Sequence, residues 1–570
     1  MATKAVLART PTPDVPIGAW ARCAAAAGVL LVVAAFSIPL AHSGVWLPDS
    51  VEHMAIAHAW IHGAGFVDPV QWTYETRMSV PLPAVEVRPP LVSVLLAIPM
   101  VLGASMSTLF TLHAVWSALA VGATVWVGSR WMRLPAAVAL GLCFGLSPIW
   151  VLIASQPLTE ATGVLAYLAV LATARGVLRS APAALACAAL TILAWLTRPN
   201  LGAVWLAVVA AAVWELGPRR SLRCAPLWLY TLGFAGLAIV VRLWLAAATG
   251  GLLYSGYGGR LREIDYHDLW RYGNVHTGTW SYVQQHADQI ATIMLKHLVL
   301  VVQSLFLSTA FNWVGWILAP GVVWALLRSR DGILEHRISA LCTMGFAFTV
   351  VLNYSAYEPR YLVFPALAGG LCGFAMLDDW ARRAERRILS RAASASVRRV
   401  SALPLAVAML VVGVGSLPWT LEYVLQSWQQ SHDRVLNDPR RHPFAPLCRH
   451  LDRDAIVATT DPWMMVVVCG NAALRLPTDL AEPTLRERFI ADRHPAYFVV
   501  GPDSDYAWLR TWDRVRELAR SSDEVLYELR DPSPQSRPWR APPALVCGEP
   551  GANCEGSRRE ADARTGSGGR

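Results

Sequence analysis

Hydrophobic residues along this chain gather in long unbroken runs, not in the alternation of a strand or the one-sided stripe of a soluble helix. Between Trp20 and Trp419 apolar stretches of roughly 18 or more residues recur, and a helix of that length crosses a hydrocarbon core about 30 Å thick. The pattern predicts spans at about 20–41, 107–128, 134–153, 158–177, 182–197, 200–216, 226–248, 338–353, 361–377 and 401–419. The apolar piece 89–103 is too short and too punctuated by proline to cross, which makes it a helix lying at the outer interface. Within 291–326 the expectation is one interfacial helix carrying Lys296 followed by one crossing, for about eleven crossings in all.

Charge tests that count. If 89–103 does not cross, Arg130, Arg133, Arg175, Arg179, Arg219, Arg220, Arg223, Arg328, Arg330, Arg337 and the run DDWARRAERRILSRAASASVRR all fall on one side, which the positive-inside rule makes cytoplasmic. The N-terminal tail, 1–19, joins them, while SQPLTE (155–160), TRPN (197–200), NYSAYEPR and the C-terminus are left outside. Composition agrees: 55% of the 570 residues are hydrophobic and 16% charged, against about a quarter charged in soluble domains. The 25 tryptophans suit an interfacial belt. The formal charge of +9 therefore reports orientation and gives no reason to invoke nucleic acid. A multi-pass protein of the plasma (inner) membrane is expected, its membrane domain covering 20–420 and its first span retained, since no small-residue cleavage site follows it.

Three polar interruptions remain. Residues 42–106 form a first outer loop, with Asp49, Glu52, Asp68, Glu75 and Glu86, and 249–305 form a second, rich in Tyr, Gly and His. From 421 to 530 the chain turns soluble in character. There AIVATT, WMMVVVCG and AYFVVG alternate with the helix-like TLRERFIADRH and YAWLRTWDRVRELARS, which predicts a small extracytoplasmic α/β domain. The tail 531–570 is rich in Pro, Gly, Ser and Arg and is expected to be disordered. Cysteines within the spans read as small buried residues, and none has zinc spacing. Cys448 with Cys469, and Cys547 with Cys554, could pair if that region meets an oxidising compartment.

Charged residues beside apolar spans are costly, so each outer one invites a role. Asp49, just beyond span one, could serve as general base or cap the helix that begins VEHMAIAHAW. Asp49, Glu52 and His53 share a helical face and His58 pairs with His62 at i, i+4; a divalent cation is geometrically open to them, though a solvated face accounts for them as well and no metal is required. Arg88 precedes Pro89 and Pro90, which restrict the backbone and aim its guanidinium at the interface, where it suits a lipid phosphate or anchors to headgroups. Arg242 lies within a span and needs a partner; Lys296 and Arg360 complete an outer set of cations, with snorkelling the plain account of Lys296, and Glu160 is a second candidate carboxylate.

Taken in order, the outer aspartate, HAWIHGAGF, RPPLVSVLLAIPMVLG and later YEPRYLVFPAL resemble the GT-C superfamily of polyprenyl-phosphate-sugar-dependent glycosyltransferases. The nearest branch holds the aminoarabinose transferases, the protein O-mannosyltransferases and the RgtA/B/C/D-like bacterial enzymes, and the likeness covers about 20–420. It implies a polytopic helical bundle, Asp49 and Glu160 as catalytic carboxylates, and donor-phosphate contacts from Arg88, Arg242, Lys296, Arg360 and Tyr361. Glu52 and His53 would stand on the acceptor or metal side; the family often sets a Glu directly beside the aspartate, where this chain has Ser50.

The implied reaction moves a sugar, with inversion, from a polyprenyl-phosphate donor to a lipid, glycan or protein acceptor on the extracytoplasmic face. Two rivals have other signatures. A lipid or polysaccharide transporter would place polar residues near the midplane, often in two related halves. A noncatalytic membrane scaffold would tolerate loss of Asp49.

Overall fold

The computed structural model describes residues 18–42, 47–74, 79–84, 88–249, 278–306, 315–328, 334–353, 357–389, 442–501 and 505–532, with scattered positions at 264, 270–273, 418–426 and 542. The expected span 401–419, most of the second outer loop, the N-terminal and C-terminal tails and the Cys547–Cys554 pairing lie outside the described residues. Two compact units emerge. One gathers Met1–His42, Phe110–Leu243 and Ala291–Gln429; the other gathers Ser43–Leu109, Trp244–Ile290 and Gln430–Arg570.

The first unit is helical. Across the described chain seven helices are long and apolar enough to cross a membrane: Ala19–Ala41, Met106–Gly128, Thr159–Leu178, Pro199–Leu216, Ala225–Trp244, Ala287–Phe306 and Pro359–Glu385. An eighth exists if Leu134–Gly145 and Pro148–Ala154, bent by 70° at their junction, are one span. The bend falls where Ser147 caps the second helix through its hydroxyl and Pro148 opens it, so each half starts and stops by local chemistry. Ala181–Thr197 and Gly315–Leu327 are shorter apolar helices. Ala287–Phe306, expected to lie in the interface, thus has the length and composition to cross.

Pairs of helices in this unit approach closely where side chains are missing. Gly315–Leu327 packs on Val363–Leu389 with Gly321 against Gly373: a Cβ on Gly321 would stand 2.5 Å from the Gly373 Cα. Small residues at such contacts let backbones touch where no hydrophobic drive separates helix from lipid. Val363–Leu389 also runs on past the expected end at 377, because Asp378–Arg382 and Asp379–Arg383 pair at i, i+4 and carry the helix into the arginine-rich stretch.

The second unit is built on a mixed six-stranded sheet of order β2-β5-β4-β6-β8-β7. β4 (Val457–Thr459), β5 (Ala473–Arg475) and β6 (Tyr497–Val500) run parallel, and β8 (Val525–Leu529) and β7 (Val515–Arg520) close the far edge antiparallel. The near edge comes from the first outer loop: β2 (Val70–Gln71) lies parallel to β5, Val70 opposite Ala473 and Gln71 opposite Leu474. β1 (Val67–Asp68) and β3 (Leu82–Pro83) pair beside it. Residues 270–273 are tied to the same body, since Asp479 accepts from the Tyr272 and Gly273 amides at 3.0 and 2.9 Å. A core of Tyr74, Tyr272, Phe489, Phe498 and Leu474 binds the three segments together.

Two expectations for this region are corrected. WMMVVVCG reads as a strand but forms the helix Pro462–Cys469: Pro462 opens it, Asp461 caps it by accepting from the Met464 amide at 3.1 Å, and Gly470, at φ 80°, ends it. YAWLRTWDRVRELARS reads as a helix but splits into a 3-10 turn, Ala507–Thr511, and β7, which pairs with β8 around an irregularity at Glu517 and Ala519. Pairing outweighs helix propensity there.

Residues 47–74, the short stretch 270–273 and the C-terminal strands thus belong to one compact unit.

Candidate active site

Pro48–Ile61 begins with proline at its first position, and Asp49 follows in the first turn rather than capping the helix; Leu47 holds the cap position. A carboxylate there faces the positive end of the helix dipole. One turn on, Glu52 is fully buried. Pro90–Val101 packs against this helix, and Arg88, just before it, reaches across to both carboxylates. Arg88 Nη2 donates to Asp49 Oδ1 at 2.6 Å, and Arg88 Nε donates to Glu52 Oε2. Pro89 and Pro90 hold the backbone that aims this side chain.

The other Glu52 oxygen is held from the far end of the sequence. Trp463 Nε1 donates to Glu52 Oε1 at 2.7 Å, although the two residues stand 411 positions apart. Trp463 also packs on Trp72, ring centroids 5.9 Å apart, and the Arg88 guanidinium lies 5.7 Å from the Trp72 ring. Burial raises the Glu52 carboxyl above the usual range, and Arg88 counters part of that shift.

A third carboxyl belongs to the same cluster. Asp68 on β1 is fully buried; its Oδ1 accepts from the Val70 amide at 2.9 Å, and its Oδ2 has no hydrogen-bond partner among the described residues. Burial, reinforced by the Glu52 charge, holds Asp68 well above the ordinary aspartate range. Three carboxyls facing one guanidinium cannot all be charged cheaply, and Asp68 has the weakest compensation. His53, expected on the same face, turns instead to Ser93 Oγ at 3.1 Å, and His58 packs at a tilt against His62 with ring centroids 4.1 Å apart. Among the described residues no three His, Cys, Asp or Glu side chains are arranged to hold a metal ion.

The remaining expected site residues lie in the helical unit. Glu160, in the first turn of Thr159–Thr173, is buried and paired with Arg198 at 2.5 Å. Arg198 lies 5.7 Å from the rings of Tyr361 and Phe364, and Arg360 pairs with Glu358 beside the same tyrosine. Each of these residues sits at a proline break: QPLTE, TRPN and EPRY. Arg242 is half-exposed on Ala225–Thr249, and Lys296 is exposed on Ala287–Phe306. Sequence reasoning passed over Arg198, Asp68, Trp72 and Trp463. For Arg198 a signal existed, a cation next to a helix-breaking proline, of the same kind that singled out Arg88; for Trp463 there was none.

No family model and no curated protein sequence matches this chain. Solved structures do. ArnT from Cupriavidus metallidurans bound to undecaprenyl phosphate is similar over 88% of this chain and 97% of its own, at 18% identity and a TM-score of 0.50. The Archaeoglobus fulgidus oligosaccharyltransferase in complex with Zn and sulfate is similar over 83% of this chain and 68% of its own, at 11% identity and a TM-score of 0.51. AglB from the same organism, in complex with an inhibitory peptide and a dolichol-phosphate, is similar over 84% of this chain and 69% of its own, at 11% identity and a TM-score of 0.50. In fold, then, this chain is similar to these proteins: a polytopic bundle of apolar helices carrying a small sheet-containing region.

Proposed function

We propose that the protein is an integral-membrane glycosyltransferase that moves a sugar from a polyprenyl-phosphate donor to a lipid, glycan or protein hydroxyl. The observation that carries this reading is the Asp49–Arg88–Glu52 cluster: a partly exposed carboxylate bonded to a buried guanidinium that a second carboxylate holds in place. The fold shared with ArnT bound to undecaprenyl phosphate and AglB bound to a dolichol-phosphate supports a lipid-phosphate donor.

Asp49 accepts the proton of the acceptor hydroxyl while that oxygen bonds to the anomeric carbon; the bond from that carbon to the phosphate oxygen breaks, and the lipid phosphate leaves with the electron pair. Attack from the face opposite the phosphate inverts the centre. Arg88, pinned at Nε by Glu52, swings its Nη edge from Asp49 to the donor phosphate, where a desolvated guanidinium stabilises developing charge. The exchange also frees Asp49 from its cation, so the base becomes stronger once donor is bound.

The Cys448–Cys469 disulfide supports an extracytoplasmic location for this unit, since such bonds persist in oxidising compartments. The N-terminus is then cytoplasmic and the reaction faces outward.

Membranes containing the full chain, supplied with undecaprenyl-phospho-mannose or undecaprenyl-phospho-arabinose labelled in the sugar, test the reading. Transfer from one of them should fall about 10²-fold or more in Asp49→Asn. Undiminished transfer in that variant would remove Asp49 as the base, and no transfer by the unmodified protein from either donor would remove the hexose and pentose donor classes.

A further inference from the structure

We infer that Trp463, contributed by the sheet-bearing C-terminal segment, is a positioning residue for Asp49 and Arg88, acting through Glu52. The chain of contacts is continuous. The indole N–H of Trp463 donates to Glu52 Oε1 at 2.7 Å, Glu52 Oε2 accepts from Arg88 Nε, and Arg88 Nη2 reaches Asp49 at 2.6 Å. Glu52 has no exposed surface, so an ionised carboxylate there depends on donors from the protein. Trp463 supplies the only one shown for Oε1 among the described residues.

Trp463 is itself firmly placed. It is the second residue of Pro462–Cys469, whose start is capped by Asp461 and whose last residue is bonded to Cys448. Its ring rests against Trp72, which in turn faces Arg88. Loss of the indole donor leaves one Glu52 oxygen buried and unpaired, makes that carboxylate easier to protonate, and so loosens the hold on the Arg88 guanidinium. The C-terminal region is therefore part of the reacting centre's support rather than an appended partner-binding module.

Two measurements on the full chain in lipid nanodiscs decide the matter. The first needs no activity. With ¹⁵N-labelled tryptophan, the indole resonance that disappears in Trp463→Phe should move in Glu52→Gln, which keeps a neutral acceptor in place of the carboxylate; an unmoved resonance overturns the inference. The second rests on the transfer reaction proposed above. Trp463→Phe should lower kcat about 10-fold or more and shift the acidic limb of the pH profile upward, with KM for the acceptor nearly unchanged. In a Glu52→Gln background the same substitution should change kcat less than about twofold. Equal losses in both backgrounds would assign Trp463 to packing alone. If the unmodified protein transfers no sugar, the resonance still decides this inference while the proposed reaction falls.

Discussion

Arg88 and Arg198 each meet a buried carboxylate, and they do so differently. Among the described residues Arg198 pairs with one carboxylate, Glu160, whose side chain is 1% exposed, and the rings of Tyr361 and Phe364 lie 5.7 Å from its guanidinium. Arg88 bonds to two carboxylates among the described residues: Glu52, sealed, and Asp49, whose side chain is 22% exposed. A one-to-one pair whose carboxylate is sealed has little reason to exchange partners, because separating it leaves two uncompensated charges. A guanidinium shared between a sealed carboxylate and an open one can give up the open one to an incoming anion and still be held. The family resemblance implies both Asp49 and Glu160 as catalytic carboxylates. Their surroundings favour Asp49 for chemistry and Glu160 for holding helix ends together.

The strongest way to break this contrast is to exchange the expected effects. Asp49→Asn should reduce sugar transfer about 10²–10⁴-fold while thermal unfolding in detergent moves little. Glu160→Gln should act the other way, destabilising the helical unit by about 3 kcal/mol by leaving the largely covered Arg198 without its anion. Pairing it with Arg198→Met should restore much of that stability. A Glu160→Gln protein that unfolds normally yet loses transfer as Asp49→Asn does would reverse the assignment.

A smaller effect is expected at the tether behind the site. Replacing Cys448 and Cys469 together by serine opens a loop of 21 residues and should cost about 2–4 kcal/mol in the sheet-bearing unit. The Trp463 indole resonance should broaden in that variant; a sharp, unshifted signal would show that the disulfide does nothing for the site.

The smallest effect concerns proton balance. Asp68 binds its proton more tightly folded than unfolded, so its contribution to stability is fully present below the ordinary aspartate pKa and is lost as pH rises toward its raised folded value. Asp68→Asn removes that dependence and keeps an acceptor for the Val70 amide. Its melting temperature should exceed that of the unmodified protein by a few degrees at pH 8, with the difference vanishing near pH 4. A constant difference at both pH values would mean that Asp68 is charged in the folded protein.

Much of the helical unit could be read directly from the chain, because a bilayer demands length and apolarity of every crossing and both are local properties. Departures occur where local chemistry competes. The i, i+4 pairs at Asp378 and Asp379 prolong a helix past its apolar end, and Pro148 splits an apolar run in two. The sheet was harder to read, since its short strands and helices carry the same apolar residues, and Asp461, Pro462 and Gly470 rather than hydrophobicity make WMMVVVCG helical.

The sequence alone determined that this chain carries many membrane-crossing runs, and that Asp49 and Arg88 share one polar interruption between them, where burial makes a charge expensive. Tertiary structure decided how those charges are resolved. Strand β2 of that loop joins a sheet whose other strands begin almost 400 residues later, and that pairing brings Trp463 to Glu52. No local pattern encodes such a contact, because backbone pairing is indifferent to sequence distance while hydropathy and spacing report only near neighbours.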